Sequence, residues 1–286
     1  MKLKSRETLT AYIFLIPIFF IIFSINLYPL ARTFYLSLFR KVVGSEEIFI
    51  GFKNYISLFA SDVFWKVVTA TFVFVVSAVP LKMLLGMAIA LILNKSSKLK
   101  PILRSIVLLP WALPVYVSAY VWVWLYNPSL GLLNKLTEIL GLGHYYWLQD
   151  YPMPCVVITN VWQTVPFLAL ALLAALQSIK KELYESAAID GATSLQQFLH
   201  ITLPSLKQTL YILTSLQVLW TFGEFVTIWI LTAGGPGYAT KTLPIYIYEK
   251  TFISQDLGIA ATLSMITLPI FLMIVIYTIR LLRGEI

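Results

Sequence analysis

A chain of 286 residues that is 59% hydrophobic and 12% charged, with a mean hydropathy of +0.83, is too apolar for a water-soluble domain of its length. Its apolar runs of about 20 residues predict membrane-spanning helices and exclude the alternating strands of a β-barrel. The net charge of +8 would suit nucleic acid, but its placement between apolar runs argues against that partner, and a lone Cys155 allows no internal disulfide and fits no metal-ligand spacing.

Lys2, Lys4 and Arg6 precede a charge-free run from Thr8 to Ala31. The run is longer than a signal-peptide core and ends in Leu-Tyr-Pro-Leu rather than in small residues, so it predicts a first span over about 9–30. A more polar stretch follows, in which Phe52, Tyr55, Leu58 and Phe59 give one apolar face to a short helix lying at the membrane interface. Further spans are expected over about 67–93, 102–126, 154–176, 210–232 and 257–282, six in all, in one membrane domain covering 1–286. Pro110 and Pro114 predict a kink in the third. Trp122, Trp124 and Tyr126 at its end read as an outer aromatic belt.

The segment 178–204 is the longest soluble-looking stretch with helical order. Lys180 to Asp190 has the composition of a short helix, and Gly191 stands where a left-handed residue ends one. Ser194 and Gln197 then fit a capping box, and Leu195, Phe198 and Leu199 fall at helical spacing until Leu203 and Pro204 stop the second helix. The expected unit is a helix-turn-helix knob.

Orientation comes from Lys and Arg. The amino tail, the Lys95 to Arg104 turn, the knob with Lys207, and the carboxyl tail hold 12, against 8 on the opposite side. The bias predicts that both termini and the knob are cytoplasmic. Measured from that side at 1.5 Å per residue, Lys82 lies roughly 16 Å up the second span and Glu224 roughly 21 Å up the fifth. Away from the span ends they are the two charged side chains inside spans, where charges are costly enough to suggest function: facing a translocation path, or pairing with each other. Trp220 and Phe225 flank Glu224 with aromatic faces suited to sugar rings, although an aromatic stripe is also ordinary helix packing.

Glu185, Ser186 and Ala187, then Gly191, then Ile201, Leu203 and Pro204 keep the spacing Glu-Ala-Ala, three residues, Gly, nine residues, Ile-x-Leu-Pro. In this the chain resembles the membrane subunits of binding-protein-dependent ABC importers. Asp190 and Ala192 around the glycine are similar to the sugar-permease group, and Ser186 in place of Ala is the one departure. Gly234, Gly235 and Pro236 followed by Thr240 and Leu243 resemble the external loop of the first-type sugar permease subunit, and Gly51, Phe52, Asn54 and Tyr55 are similar to a segment after its first span.

The resemblance implies a type I ABC importer permease fold in a prokaryotic inner membrane. It implies a second, similar permease chain, an extracytoplasmic solute-binding protein, and two ATP-binding subunits that carry ATP and Mg and receive the knob in a groove. Glu185, Ala187 and Gly191 would carry that contact. The chain has no G-x-x-x-x-G-K-[ST] loop and no nucleophile-histidine pairing, so no catalytic residue is expected in it. Two other readings are an ion-coupled carrier or channel using Lys82 and Glu224, and a membrane subunit that recruits an ATPase without transporting. Which solute is carried stays open.

Overall fold

The computed structural model describes residues 12, 14–95 and 100–283. The amino-terminal charges Lys2, Lys4 and Arg6, the start of the first expected span, the middle of the Lys95 to Arg104 turn and the carboxyl tail lie outside the described residues. The chain divides into two compact units, one running to Ser61 and including Tyr246–Pro269, the other comprising Asp62–Ile245 with the residues from Ile270.

In the first unit, α1 (Phe14–Ser37) has a strongly apolar window, none of it buried, as suits a helix solvated by lipid. A small antiparallel ladder follows, β1 (Phe39–Arg40) with β2 (Ile48–Phe49), which the helical reading did not anticipate. The short helix α2 (Lys53–Phe59) leaves Phe52 and Phe59 exposed and buries Leu58 and Asn54. Asn54 fixes the turn, because its Nδ2 donates to the carbonyls of Ser37 at 3.0 Å and Phe39 at 2.9 Å. The start of the last long helix closes against the same strand. Gly258 N donates to the Lys41 carbonyl, and a Cβ at Gly258 would stand 2.4 Å from the Phe39 carbonyl oxygen, so the approach needs glycine.

The second unit is built on two long helices, α3 (Asp62–Asn94) and α7 (Pro152–Gln177). They pack tightly at Gly86, where an added Cβ would lie 2.9 Å from Leu168 Cβ. Two apolar clusters line the contact. One is centred on Phe74, Ala78, Val157 and Val161, the other on Ala90, Leu168, Leu172 and Leu213. Cys155 belongs to the first and is a buried free thiol.

The third expected span is divided into α4 (Lys100–Ala112) and α5 (Val115–Leu125), whose axes differ by 92° between Pro101–Ala112 and Val115–Leu125. This is a break rather than a kink. Pro114 is extended, with φ −54° and ψ 138°, and its ring also disfavours helix at Leu113. After α6 (Leu132–Ile139) and α7 come the knob helices α8 (Lys181–Ile189) and α9 (Ser194–Gln197), the latter continuing through a wider turn over Phe198–Thr202 into Leu203–Ser205. The next two helices, α10 (Lys207–Phe222) and α11 (Val226–Thr232), form a second broken pair bent by 43°. The chain ends with α12 (Leu243–Tyr248) and α13 (Leu257–Arg283). Among the described residues four helices are long and apolar enough to cross a membrane, and up to six spans result if each bent pair is counted as one.

Candidate functional site

The break between α10 and α11 falls at Gly223, Glu224 and Phe225, so the acidic side chain emerges where backbone N–H groups are free. Glu224 Oε1 accepts from the Thr227 N–H at 2.9 Å, putting a negative group at the start of α11. Its Oε2 accepts from Asn160 Nδ2 of α7 at 3.2 Å. The network extends from there. Thr227 Oγ1 donates to Gln163 Oε1 at 3.3 Å, and Gln163 Nε2 reaches the Val115 carbonyl at the start of α5 at 3.5 Å.

Lys82 is 1% exposed, and its Nζ donates to Thr221 Oγ1 on α10 at 2.8 Å. Lys82 and Glu224 therefore hydrogen-bond different neighbours and are not in ion-pair contact. One turn before Thr221, Gln217 is wholly buried, and neither its Oε1 nor its Nε2 has a partner; Asn160 Oδ1 is likewise buried and unpaired. Unsatisfied amide groups inside a protein are costly and rare. The cluster thus carries hydrogen-bonding capacity that the chain itself does not use.

Sequence reasoning named Lys82 and Glu224 but missed Asn160, Gln163, Gln217, Thr221 and Thr227. The available signal was spacing. Gln217, Thr221 and Glu224 recur at four and three residues, on one helical face, within an apolar run. Trp220 points elsewhere, being 49% exposed and packed on Phe167, with ring centroids 5.4 Å apart. Phe225, at the N-cap of α11, stacks on Trp229.

The knob holds the other residues in close sequence. Glu185, Ser186 and Ala187 lie on α8, Asp190 caps its end, and Gly191 takes φ 80°. Gly191 N donates to the Ala188 carbonyl and Ala192 N to the Ala187 carbonyl, the paired bonds that terminate a helix through a left-handed glycine. The following cap is Thr193 with Gln196, not Ser194 with Gln197. Thr193 is still extended, at φ −69° and ψ 159°, and its Oγ1 accepts from Gln196 N, whereas Ser194 is already helical. Tyr184 OH and Thr202 Oγ1, 2.9 Å apart, tie the two halves together, with Ile201, Leu203 and Pro204 beyond. Ile189 is 86% and Leu195 67% exposed, which leaves apolar side chains at the tip of a polar segment.

Gly234, Gly235, Pro236 and Thr240 close a loop after α11. Thr240 Oγ1 donates to the Gly235 carbonyl at 2.9 Å and lies 2.7 Å from Thr232 Oγ1. Gly234 has φ 88°, and a Cβ there would press on Ile245 and Lys241.

Broken helices around a sealed polar cluster, together with an apolar-tipped knob, are the build of a solute-transport permease. Residues 82–281 match the family described as binding-protein-dependent transport system inner membrane component, and the chain belongs to that family. It is a multi-pass membrane subunit of a transport system and not an enzyme. Among its relatives, the trehalose/maltose transport system permease protein MalF of Thermococcus litoralis is 38% identical over 99% of this chain and 95% of that protein. The sulfoquinovosyl glycerol transport system permease protein SmoG of Agrobacterium fabrum is 30% identical over 99% of this chain and 93% of its own length. The fold matches a chain of a solved bacterial ABC transporter involved in the import of the acidic polysaccharide alginate, with a TM-score of 0.79 at 24% identity, covering 99% of this chain and 98% of that one. The fold is that of an ABC importer permease. An ion-coupled carrier finds no support among these relatives.

Proposed function

We propose that the chain forms one half of the membrane core of an importer for a sugar or sugar derivative, paired with a second, similar permease chain. Its relatives' names support the substrate class: trehalose/maltose, sulfoquinovosyl glycerol and diacetylchitobiose. An extracytoplasmic binding protein delivers the solute, and two ATP-binding subunits, which hold ATP and Mg, drive alternating access. A solved alginate transporter has been captured with its periplasmic protein, in keeping with that partner. Both compact units belong to one permease domain with six spans, each bent pair counting as one. Residues 178–204 form the cytoplasmic coupling loop, and both termini are cytoplasmic.

The observation that carries the reading is Gln217, buried with both amide atoms unpartnered. Together with Asn160, Thr221, Glu224 and Lys82 it offers donors and acceptors on one face, the chemistry that hydroxyl-rich solutes need. In the closed state the face is sealed. In the open state it would meet the solute, while Ile189 and Leu195 seat the knob in the ATP-binding subunit.

The experiment is uptake of the binding protein's own ligand by the reconstituted complex, with ATP hydrolysis measured beside it. Gln217→Leu keeps the volume and removes both polar atoms. Uptake should fall about tenfold or more, as when one buried polar contact to a substrate is lost, while the complex stays assembled. Unchanged uptake would remove this cluster from the path.

A further inference from the structure

The third and fifth spans are both broken, and in each the later half, α5 or α11, turns away from the half before it, by 92° and 43°. These two later halves lie along each other and touch the long helix α7 much less. α5 buries the small side chains of Ser118 and Ala119, and α11 buries Thr227, Ile228 and Leu231. Small residues of this kind let helices approach closely in a membrane. Each helix starts directly after its break, α5 after Leu113 and Pro114, α11 after Gly223, Glu224 and Phe225. One side chain of α7 holds both starts. Gln163, 6% exposed, accepts from Thr227 Oγ1 at 3.3 Å and donates to the Val115 carbonyl at 3.5 Å. Both bonds sit at the long end of the hydrogen-bond range.

We infer that α5 and α11 form one rigid flap pivoting on the two breaks, and that Gln163 is the latch that holds this flap against α7. Swinging the pair as a unit keeps the packing between α5 and α11 and gives up the two long bonds of Gln163. Moving either helix alone would open apolar surface between them. The breaks suit a pivot, since Pro114 has no N–H to anchor and Gly223 carries no Cβ to restrict its backbone. Because a single amide grips Val115 and Thr227, its release frees both breaks in one event. The flap holds whatever solute is carried, and only its response to nucleotide rests on the ATP-coupled reading.

The test measures distances between pairs of spin labels by pulsed electron paramagnetic resonance in the assembled complex, reconstituted in lipid. The labels go on Trp124→Cys of α5, Ile158→Cys of α7 and Ala239→Cys in the loop that Thr240 and Thr232 tie to the end of α11, all exposed positions, with the buried Cys155 replaced by Ala. With ATP, the 158–124 and 158–239 distances should shift together while 124–239 stays constant. Without nucleotide, Gln163→Leu should raise the shifted share about fivefold, and Thr227→Val, which removes one of the two bonds, about twofold to threefold. Thr164→Val, whose hydroxyl bonds only its own helix at the Asn160 carbonyl, should leave the distribution unchanged. A 124–239 distance that changes as much as the other two would overturn the rigid flap. Distributions insensitive to both Gln163→Leu and Thr227→Val would overturn the latch. A shift with Gln163→Leu but none with ATP would support the latch and count against the ATP-coupled reading alone.

Discussion

Lys82 on α3 and Thr221 on α10 meet at 2.8 Å, each about 1% exposed, although 139 residues separate them in the chain. A buried ammonium depends on its acceptor. Thr221→Val is expected to destabilise the complex by about 1–3 kcal/mol, since it leaves that donor unpaired, whereas Lys82→Met removes the charge along with its need. The double variant should therefore recover much of the Thr221→Val loss. Thermal unfolding of the four proteins decides the matter, because strictly additive losses would mean that the pair does not act as a unit.

Glu224 does two things through two oxygens, accepting from Thr227 N and from Asn160 Nδ2. Glu224→Gln keeps an acceptor at the start of α11 and should hold most of the stability. Glu224→Ala should cost about 1 kcal/mol, the usual worth of a lost helix-start acceptor. Both variants are expected to reduce uptake, because both change the face offered to the solute. If Gln transports as well as the native chain, the negative charge has no part in the path.

The cap that opens α9 gives a sharper contrast. Thr193→Ala removes the side chain that accepts from Gln196 N and should loosen the segment by about 1 kcal/mol, visible as faster amide exchange over residues 194–202. Ser194→Ala should change exchange little. Equal effects from the two substitutions would contradict the Thr193 register.

At Gly86 the helices α3 and α7 leave no room for a methyl group. Gly86→Ala is normally favourable within a helix, yet here it should destabilise by about 1–3 kcal/mol through overpacking against Leu168. A raised melting temperature for the purified Gly86→Ala complex would show that the crossing can yield.

The helical membrane class was legible because long apolar runs leave few other solutions in a bilayer. The position of Pro114 marked a disturbance in the third span, but its size, 92°, is something no local pattern states. Cap register was ambiguous for a simple reason: Thr193-x-x-Gln196 and Ser194-x-x-Gln197 both satisfy the pattern, and only backbone geometry selects one. Lys82 and Glu224 stood out as charges among apolar residues, but their partners did not. Asn160 meets Glu224 across 64 residues, and a hydrogen bond between distant helices leaves no periodic trace in either segment.

The 33 residues of α3 make a rod about 50 Å long, set in a hydrocarbon layer of about 30 Å. Such a rod acts as a lever. Turning it by about 10° around its middle, near Ala78 and Val79, would carry each end some 4 Å while the centre barely moves. Small repacking where α3 crosses α7 would thereby be read out as a large displacement at either membrane face.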